Sequence, residues 1–217
     1  MPTVAISTNF KVKKGQITFD AEGNDLETTQ YFSRVIHWPG NALSGITIGR
    51  GYDMGSRSKI AVNQDMIKTG VPTASAKVLS EGAGLKGSKA KEFVVKQKKT
   101  IGKISHAQQV KMFDNIYPGY ESRAKSNYEK WTANEKSRID WNKLDQAIRD
   151  ALVDFVYQGF TKGPNPMKSG MNNDFDEMIK YINTSPAIKQ YEPGRNRAKY
   201  LQNRKPVTKA ISAGAMK

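Results

Sequence analysis

Ser44-Gly45-Ile46-Thr47-Ile48-Gly49-Arg50-Gly51-Tyr52-Asp53-Met54-Gly55 decides how the rest of the chain is read. Ile46, Thr47 and Ile48 carry β-branched side chains, which fit an extended backbone. Glycines at 45, 49, 51 and 55 bracket them and permit sharp turns and close backbone approach. The stretch predicts a short hairpin arm with a hydroxyl, Thr47, and a carboxylate, Asp53, on or near its end. Upstream lies the acidic segment Phe19-Asp20-Ala21-Glu22-Gly23-Asn24-Asp25. Gly23, directly after Glu22, suits a helix C-cap or a turn. Ile17 and Phe19 fit either a short extended piece or the tail of a helical turn. We expect the arm to form one wall of a cleft that Glu22 faces from the other side.

Away from the arm the pattern turns helical. Residues 26–37 read as a short helix around Tyr31, Phe32, Val35 and Ile36, closed by Trp38-Pro39-Gly40. A helix from Ile60 ends at Gly70, and Pro72 opens a turn into Ala74–Ser80. Lys89–Lys99 reads as a helix with Phe93, Val94 and Val95 inward. Ser105 is an N-cap for a helix through Met112, Phe113 and Ile116, stopped by Pro118, with Tyr120–Trp131 a separate helix. Trp141–Tyr157 has the strongest signal, because Leu144, Ile148, Ala151, Leu152, Phe155 and Val156 recur at helical steps. Phe175–Asn183 and Arg195–Leu201 follow as helices. No internal repeat or low-complexity linker interrupts the chain. The expectation is one α+β, mainly α-helical domain of two lobes separated by a cleft. Residues 1–14 are a lead-in, 15–60 a small β-hairpin lobe, 61–205 a larger helical lobe and 206–217 a basic tail.

Composition narrows the chemistry. The 217 residues suffice for one substantial domain. No apolar run reaches membrane-spanning length. Met1–Thr8 has neither a charged n-region nor an apolar h-region, so no signal peptide is expected, and work outside the cytoplasm would need another route of release. Cysteine is absent, which removes disulfides, thiolate catalysis and cysteine-based zinc sites. The two histidines, His37 and His106, lie in no triad or metal motif. His106 reads as a helix-start residue, and His37 as a residue that either packs or lines the cleft. No metal and no cofactor is expected.

The net charge is +15, from 35 Lys and Arg against 20 Asp and Glu. Such a chain is drawn to nucleic acid, anionic lipid or the acidic polymers of a bacterial envelope. Lys86, Lys89, Lys91, Lys96, Lys98, Lys99 and Lys103 crowd one segment relieved only by Glu92. No acidic residue follows Glu192, whereas Arg195, Arg197, Lys199, Arg204, Lys205, Lys209 and Lys217 do. This charge either solvates a surface or concentrates the protein on an anionic one, with the basic C-terminal region as the expected contact.

A carboxylate pair across a cleft is the equipment for breaking a glycosidic bond. One acid protonates the leaving oxygen, and the second activates water or forms a covalent intermediate. Glu22 is the candidate acid, Asp53 the second carboxylate and Thr47 a hydroxyl able to hold the water. On spacing alone most such carboxylates are turn or capping residues.

Glu22-Gly23 followed by Gly45-Ile46-Thr47-Ile48-Gly49-Arg50-Gly51-Tyr52-Asp53 resembles the catalytic arm of the T4-type phage lysozymes. The similarity is closer still to the pesticin-type muramidase domains. Tyr31-Phe32-Ser33-Arg34, Ile36-His37-Trp38-Pro39-Gly40 and Ala151-Leu152-Val153-Asp154-Phe155-Val156-Tyr157-Gln158-Gly159 extend it over about residues 15–205. The resemblance implies a lysozyme-like fold and hydrolysis of the β-1,4 bond between N-acetylmuramic acid and N-acetylglucosamine in peptidoglycan. It implies Glu22 as general acid, Thr47 as the residue that positions water and Asp53 as the second carboxylate. In the T4-type enzymes that acid precedes the threonine and a histidine stands where this chain has Tyr52. Here Asn41 occupies that region and no acid lies between Glu27 and Asp53, so Asp25 is the alternative. Inversion at the anomeric centre is implied as well. Arg50, Tyr52 and Gln158 are candidate glycan contacts.

Two other classes compete. One is a non-catalytic basic module for nucleic acid or envelope surfaces, although no nucleic-acid motif is present. The other is a peptidoglycan amidase or peptidase, which needs zinc or a cysteine nucleophile. For the muramidase, the expected setting is a monomeric phage endolysin, made in the host cytoplasm and acting on the cell wall after release. A secreted antibacterial effector or bacteriocin with the same activity is the alternative.

Overall fold

A computed structural model describes residues 10–29 and 32–206. The expectations for residues 1–9, for Tyr31 and for the tail beyond 206 lie outside the described residues. The class is α+β and mainly helical, with one two-stranded antiparallel sheet. The chain divides into two compact units between Ala124 and Lys125.

The first unit begins with α1 (Gln16–Ala21), for which Glu22 is the C-cap. Phe19 meets Phe113 edge to face at 5.3 Å. β1 (Thr47–Ile48) and β2 (Tyr52–Asp53) form the hairpin, with Thr47 opposite Asp53 and Ile48 opposite Tyr52. Isolated bridges widen this pairing: Asn24 lies beside Phe32, His37 beside Thr47 and Gly45 beside Lys86.

Residues 26–37 were expected to be helical and are not. The described part is turns and bridges, because its backbone groups are taken elsewhere. Ser33 N–H donates to the Asn24 carbonyl at 2.8 Å, and His37 exchanges two 2.9 Å bonds with Thr47. Val35 N–H closes a turn on the Phe32 carbonyl at 3.3 Å.

α2 (Lys59–Thr69) is capped by Ser58, which accepts the Ala61 N–H, and ends on left-handed Gly70. α3 (Thr73–Ser80) packs on it. α4 (Gly87–Ile101) buries Ala90 and Ile101. Val95, expected inward, is 76% exposed. Helical geometry explains this, because Val95 shares its face with Lys91 and Lys99, four residues to either side.

α2, α3 and α4 belong to the same unit as the hairpin. Gly84 N–H donates to the Met54 carbonyl at 3.0 Å, and Gly87 N–H to the Ser44 carbonyl at 3.1 Å. The chain after α3 thus satisfies hairpin backbone within the first unit.

α5 (His106–Trp131) supplies residues through Ala124 to the first unit and from Lys125 to the second. Its start is a capping box: Gln108 N–H donates to Ser105 Oγ at 3.1 Å, and Ser105 N–H to Gln108 Oε1 at 2.7 Å. The helix continues through Pro118, which was expected to stop it. Pro118 is exposed and gives up one helix bond, whereas Ile116, Tyr117, Ala124 and Tyr128 on the same helix are buried. Burial outweighs the lost bond.

In the second unit a 3₁₀ turn (Trp141–Lys143) precedes α6 (Gln146–Tyr157), so the long helix expected from Trp141 starts later. Asp145 sets that start by accepting the Ala147 N–H at 2.7 Å. Ile148, Ala151, Leu152 and Phe155 are fully buried, which makes α6 the core element of this unit. α7 (Asn165–Lys168), α8 (Phe175–Thr184), α9 (Pro186–Lys189), α10 (Glu192–Arg195) and α11 (Arg197–Gln202) complete it.

α6 also buries two acids, Asp150 and Asp154. Tyr200 donates to Asp150, and Arg195 pairs with Asp154 at 2.8 Å. Arg197, with no exposed surface, donates to Glu192 at 2.7 Å and to Gln158 Oε1 at 3.0 Å. Among the described residues no helix is long and apolar enough to cross a membrane.

Candidate active site

Local sequence and register together make the hairpin face. Alternation along β1 sends Ile46 and Ile48 to one side, where both are fully buried with their partners Met54 and Tyr52. Thr47 and Asp53, directly opposite each other, share the other side. His37 is bridged to the far edge of Thr47. A row of imidazole, hydroxyl and carboxylate therefore crosses three extended segments on one face.

Thr47 is 8% exposed and Asp53 is exposed. Asp53 Oδ1 accepts the Gly55 N–H at 2.6 Å. A Cβ on Gly45 would come within 2.3 Å of that same oxygen and of Gly55 N, so this crossing admits only glycine. Burial holds the His37 imidazole below its ordinary pKa; the Val35 carbonyl 3.3 Å from Nδ1 opposes this, and Lys98 adds to it.

Glu22 ends α1 in an extended conformation, and its N–H donates to the Thr18 carbonyl at 2.9 Å. Gly23 then takes φ +93°, which fits the glycine read as a C-cap. Any Cβ at Gly23 would meet Ser33 Oγ at 2.2 Å and Arg50 Cδ at 2.9 Å.

Arg50, in the turn between β1 and β2, fastens this helix end to the hairpin. Its Nη1 donates to the Phe19 carbonyl at 2.8 Å and to the Glu22 carbonyl at 2.6 Å. Its Nη2 pairs with Asp25 Oδ2 at 2.5 Å. The guanidinium lies 4.6 Å from the centroid of the Phe19 ring. A cation on the last carbonyls of a helix satisfies acceptors that the helix leaves open. Burial pulls the Arg50 pKa down, and the charges of Asp25, Asp20 and Glu22 oppose that pull.

Arg50 and Tyr52, expected at the glycan, are interior residues. Arg50 is spent on the α1 carbonyls and Asp25. Tyr52 is 1% exposed, its hydroxyl donates to Asp65 Oδ2 at 2.6 Å, and Arg57 covers its ring at 4.2 Å. Burial, together with Asp65, pushes the Tyr52 pKa up. Gln158 belongs to the second unit, where it caps α6 and accepts from Arg197. Asp25 is engaged by Arg50, which leaves Asp53 as the carboxylate beside Thr47.

Ser33 escaped the sequence reading, and His37, read as packing or lining the cleft, joins it as a contributor. Ser33 links the segment after Glu22 to the hairpin: its Oγ accepts the Asn24 N–H at 2.7 Å and its carbonyl accepts the Gly49 N–H at 2.6 Å. His37 joins the polar row. The available signal was the Trp38-Pro39-Gly40 turn between two β-branched runs, Val35-Ile36 and Ile46-Thr47-Ile48, which is itself a hairpin pattern. Among the described residues, no group of three or more His, Asp or Glu side chains is placed to hold a metal ion.

A protein-family model described as Domain of unknown function (DUF8812) matches residues 15–190, most of the chain and every candidate residue above. No curated protein matches the sequence.

Proposed function

We propose that this chain, which belongs to the DUF8812 family, is a muramidase that hydrolyses the β-1,4 linkage between N-acetylmuramic acid and N-acetylglucosamine. The supporting observation is the pairing of Thr47 with Asp53 on one hairpin face, while Arg50 of the same hairpin grips the carbonyl of Glu22. Sequence resemblance supplies the substrate.

In this reading Glu22 delivers a proton to the glycosidic oxygen as the bond to the anomeric carbon breaks. Positive charge builds on the sugar ring in an oxocarbenium-like transition state. Water held by the Thr47 hydroxyl attacks the opposite side of the ring, and Asp53 takes its proton. The product is inverted, as the resemblance implies. Arg50 and Ser33 act as positioning residues, fixing the end of α1 relative to the hairpin turn. Peptidoglycan is the partner, reached after release from the cytoplasm of the producing cell.

The test is digestion of purified peptidoglycan with mass analysis of the soluble products. New reducing ends on N-acetylmuramic acid support the proposal, and release of free peptides alone overturns it. Glu22→Gln removes the proton donor and is expected to lower the rate by about a hundred- to ten-thousandfold, the usual worth of general acid catalysis.

A further inference from the structure

α4 and the loop before β1 together form a surface that catalysis does not use. On the solvent side of α4, Lys89, Lys91, Lys96 and Lys99 are exposed, and Glu92 is the one acid among them. Among the described residues these four lysines have no ion pair, unlike Lys103, which pairs with Glu27 at 2.7 Å. From Lys89 to Lys99 the helix rises about 15 Å at about 1.5 Å per residue. Val95 sits in the middle of the lysines, 76% exposed, in a shallow depression lined by Ser88, Lys91, Glu92 and Lys96.

The loop adds apolar reach. Leu43 is 82% exposed, the most exposed large hydrophobic side chain among the described residues. It is held out by a built turn in which Asn41 Oδ1 accepts the N–H groups of Leu43 at 3.0 Å and Ser44 at 2.9 Å. The loop seats on the start of α4, where Ala42 packs over Gly87 and Gly45 bridges Lys86. Trp38, in the same loop, has Lys91 Nζ 6.0 Å from its ring centroid.

We propose that this face docks on an anionic phospholipid bilayer, with Leu43 and Val95 entering the headgroup layer and the α4 lysines on the lipid phosphates. Charge complementarity requires an anionic partner. The two exposed aliphatic side chains, Val95 among the lysines and Leu43 on the loop seated at the start of α4, favour a bilayer over a dissolved polyanion, which offers nothing apolar to bury them. Duplex nucleic acid meets a lysine face through its phosphates and likewise leaves Leu43 and Val95 in water. The proposal is independent of the muramidase reading.

The experiment is flotation of the full chain with vesicles of phosphatidylcholine mixed with phosphatidylglycerol, and with vesicles of phosphatidylcholine alone. The expected result is partition onto the mixed vesicles only, weakened by salt. Lys91→Gln with Lys99→Gln should lower that partition about thirtyfold, from roughly fivefold per lysine at an anionic surface. Leu43→Ser with Val95→Ser should lower it separately, and neither pair should alter the circular dichroism spectrum. Equal binding to both vesicle types, no binding, or partition unchanged in either pair would overturn the proposal. Tighter binding to duplex DNA than to the mixed vesicles would overturn it as well. Loss in the lysine pair with none in the Leu43 and Val95 pair would replace the bilayer with a dissolved polyanion.

Discussion

Gly45 shows how one residue without a side chain fixes a candidate catalytic group. Asp53 folds over it, and a Cβ there would lie 2.3 Å from Asp53 Oδ1 and from the Gly55 backbone nitrogen. Backbone cannot yield as a flexible side chain can. Gly45→Ala should therefore cost about 1–3 kcal/mol by overcrowding and should also displace Asp53. The measurement is urea denaturation together with peptidoglycan hydrolysis. Full stability and full activity in this variant would show that Asp53 does not depend on the crossing. At this scale the sequence said much. The glycines around Ile46–Ile48, the hydroxyl and the carboxylate were legible because turn chemistry and β-branching act locally. The roles of Arg50 and Tyr52 were not, since an arginine between two glycines looks like a surface residue until the carbonyls of α1 are brought beneath it.

The elements divide in the same way, between local signals and long-range partners. α2 and α8 begin on side chains, Ser58 and Asp174, that satisfy their own helix ends, and α3 begins directly after Pro72, so all three lie close to where the sequence puts them. Residues 26–37 misled because hydrophobic spacing cannot report that Asn24, Gly49 and Thr47 will take their backbone bonds. Pro118 misled in the opposite sense. Its penalty is local, while the burial that keeps α5 intact lies on both sides of it. Pro118→Ala restores the missing N–H and relieves the ring clash, worth about 3 kcal/mol, and loosens the unfolded chain by about 0.4–1 kcal/mol. The net expectation is a stabilisation of about 2 kcal/mol in chemical denaturation. A destabilised variant would mean that the helix needs the bend that proline imposes.

For the whole molecule, the strongest apolar helix proved to carry buried acids, and each is answered by a cation or hydroxyl far along the chain. Arg197 serves Glu192 and Gln158 from a fully buried position. Arg197→Ala should cost about 3–5 kcal/mol by leaving buried charge without its partner. Loss of under 1 kcal/mol in denaturant unfolding would show that the network is not what holds the second unit. The fold class was legible because periodicity sums over long segments. The grouping of α2, α3 and α4 with the hairpin was not, because it depends on hydrogen bonds between the hairpin and the chain after α3. The net charge of +15 was plain from the start, but only the structure separates lysines that flank exposed Val95 from lysines in ion pairs.

The most direct measurement compares the unaltered chain with Glu22→Gln and Asp53→Asn on purified peptidoglycan, reading new N-acetylmuramic acid reducing ends by mass, with folding checked by circular dichroism. The account predicts abundant reducing ends from the unaltered chain and losses of at least about a hundredfold in both folded variants. Reducing ends formed undiminished by Glu22→Gln, or none formed by the unaltered chain, would contradict it.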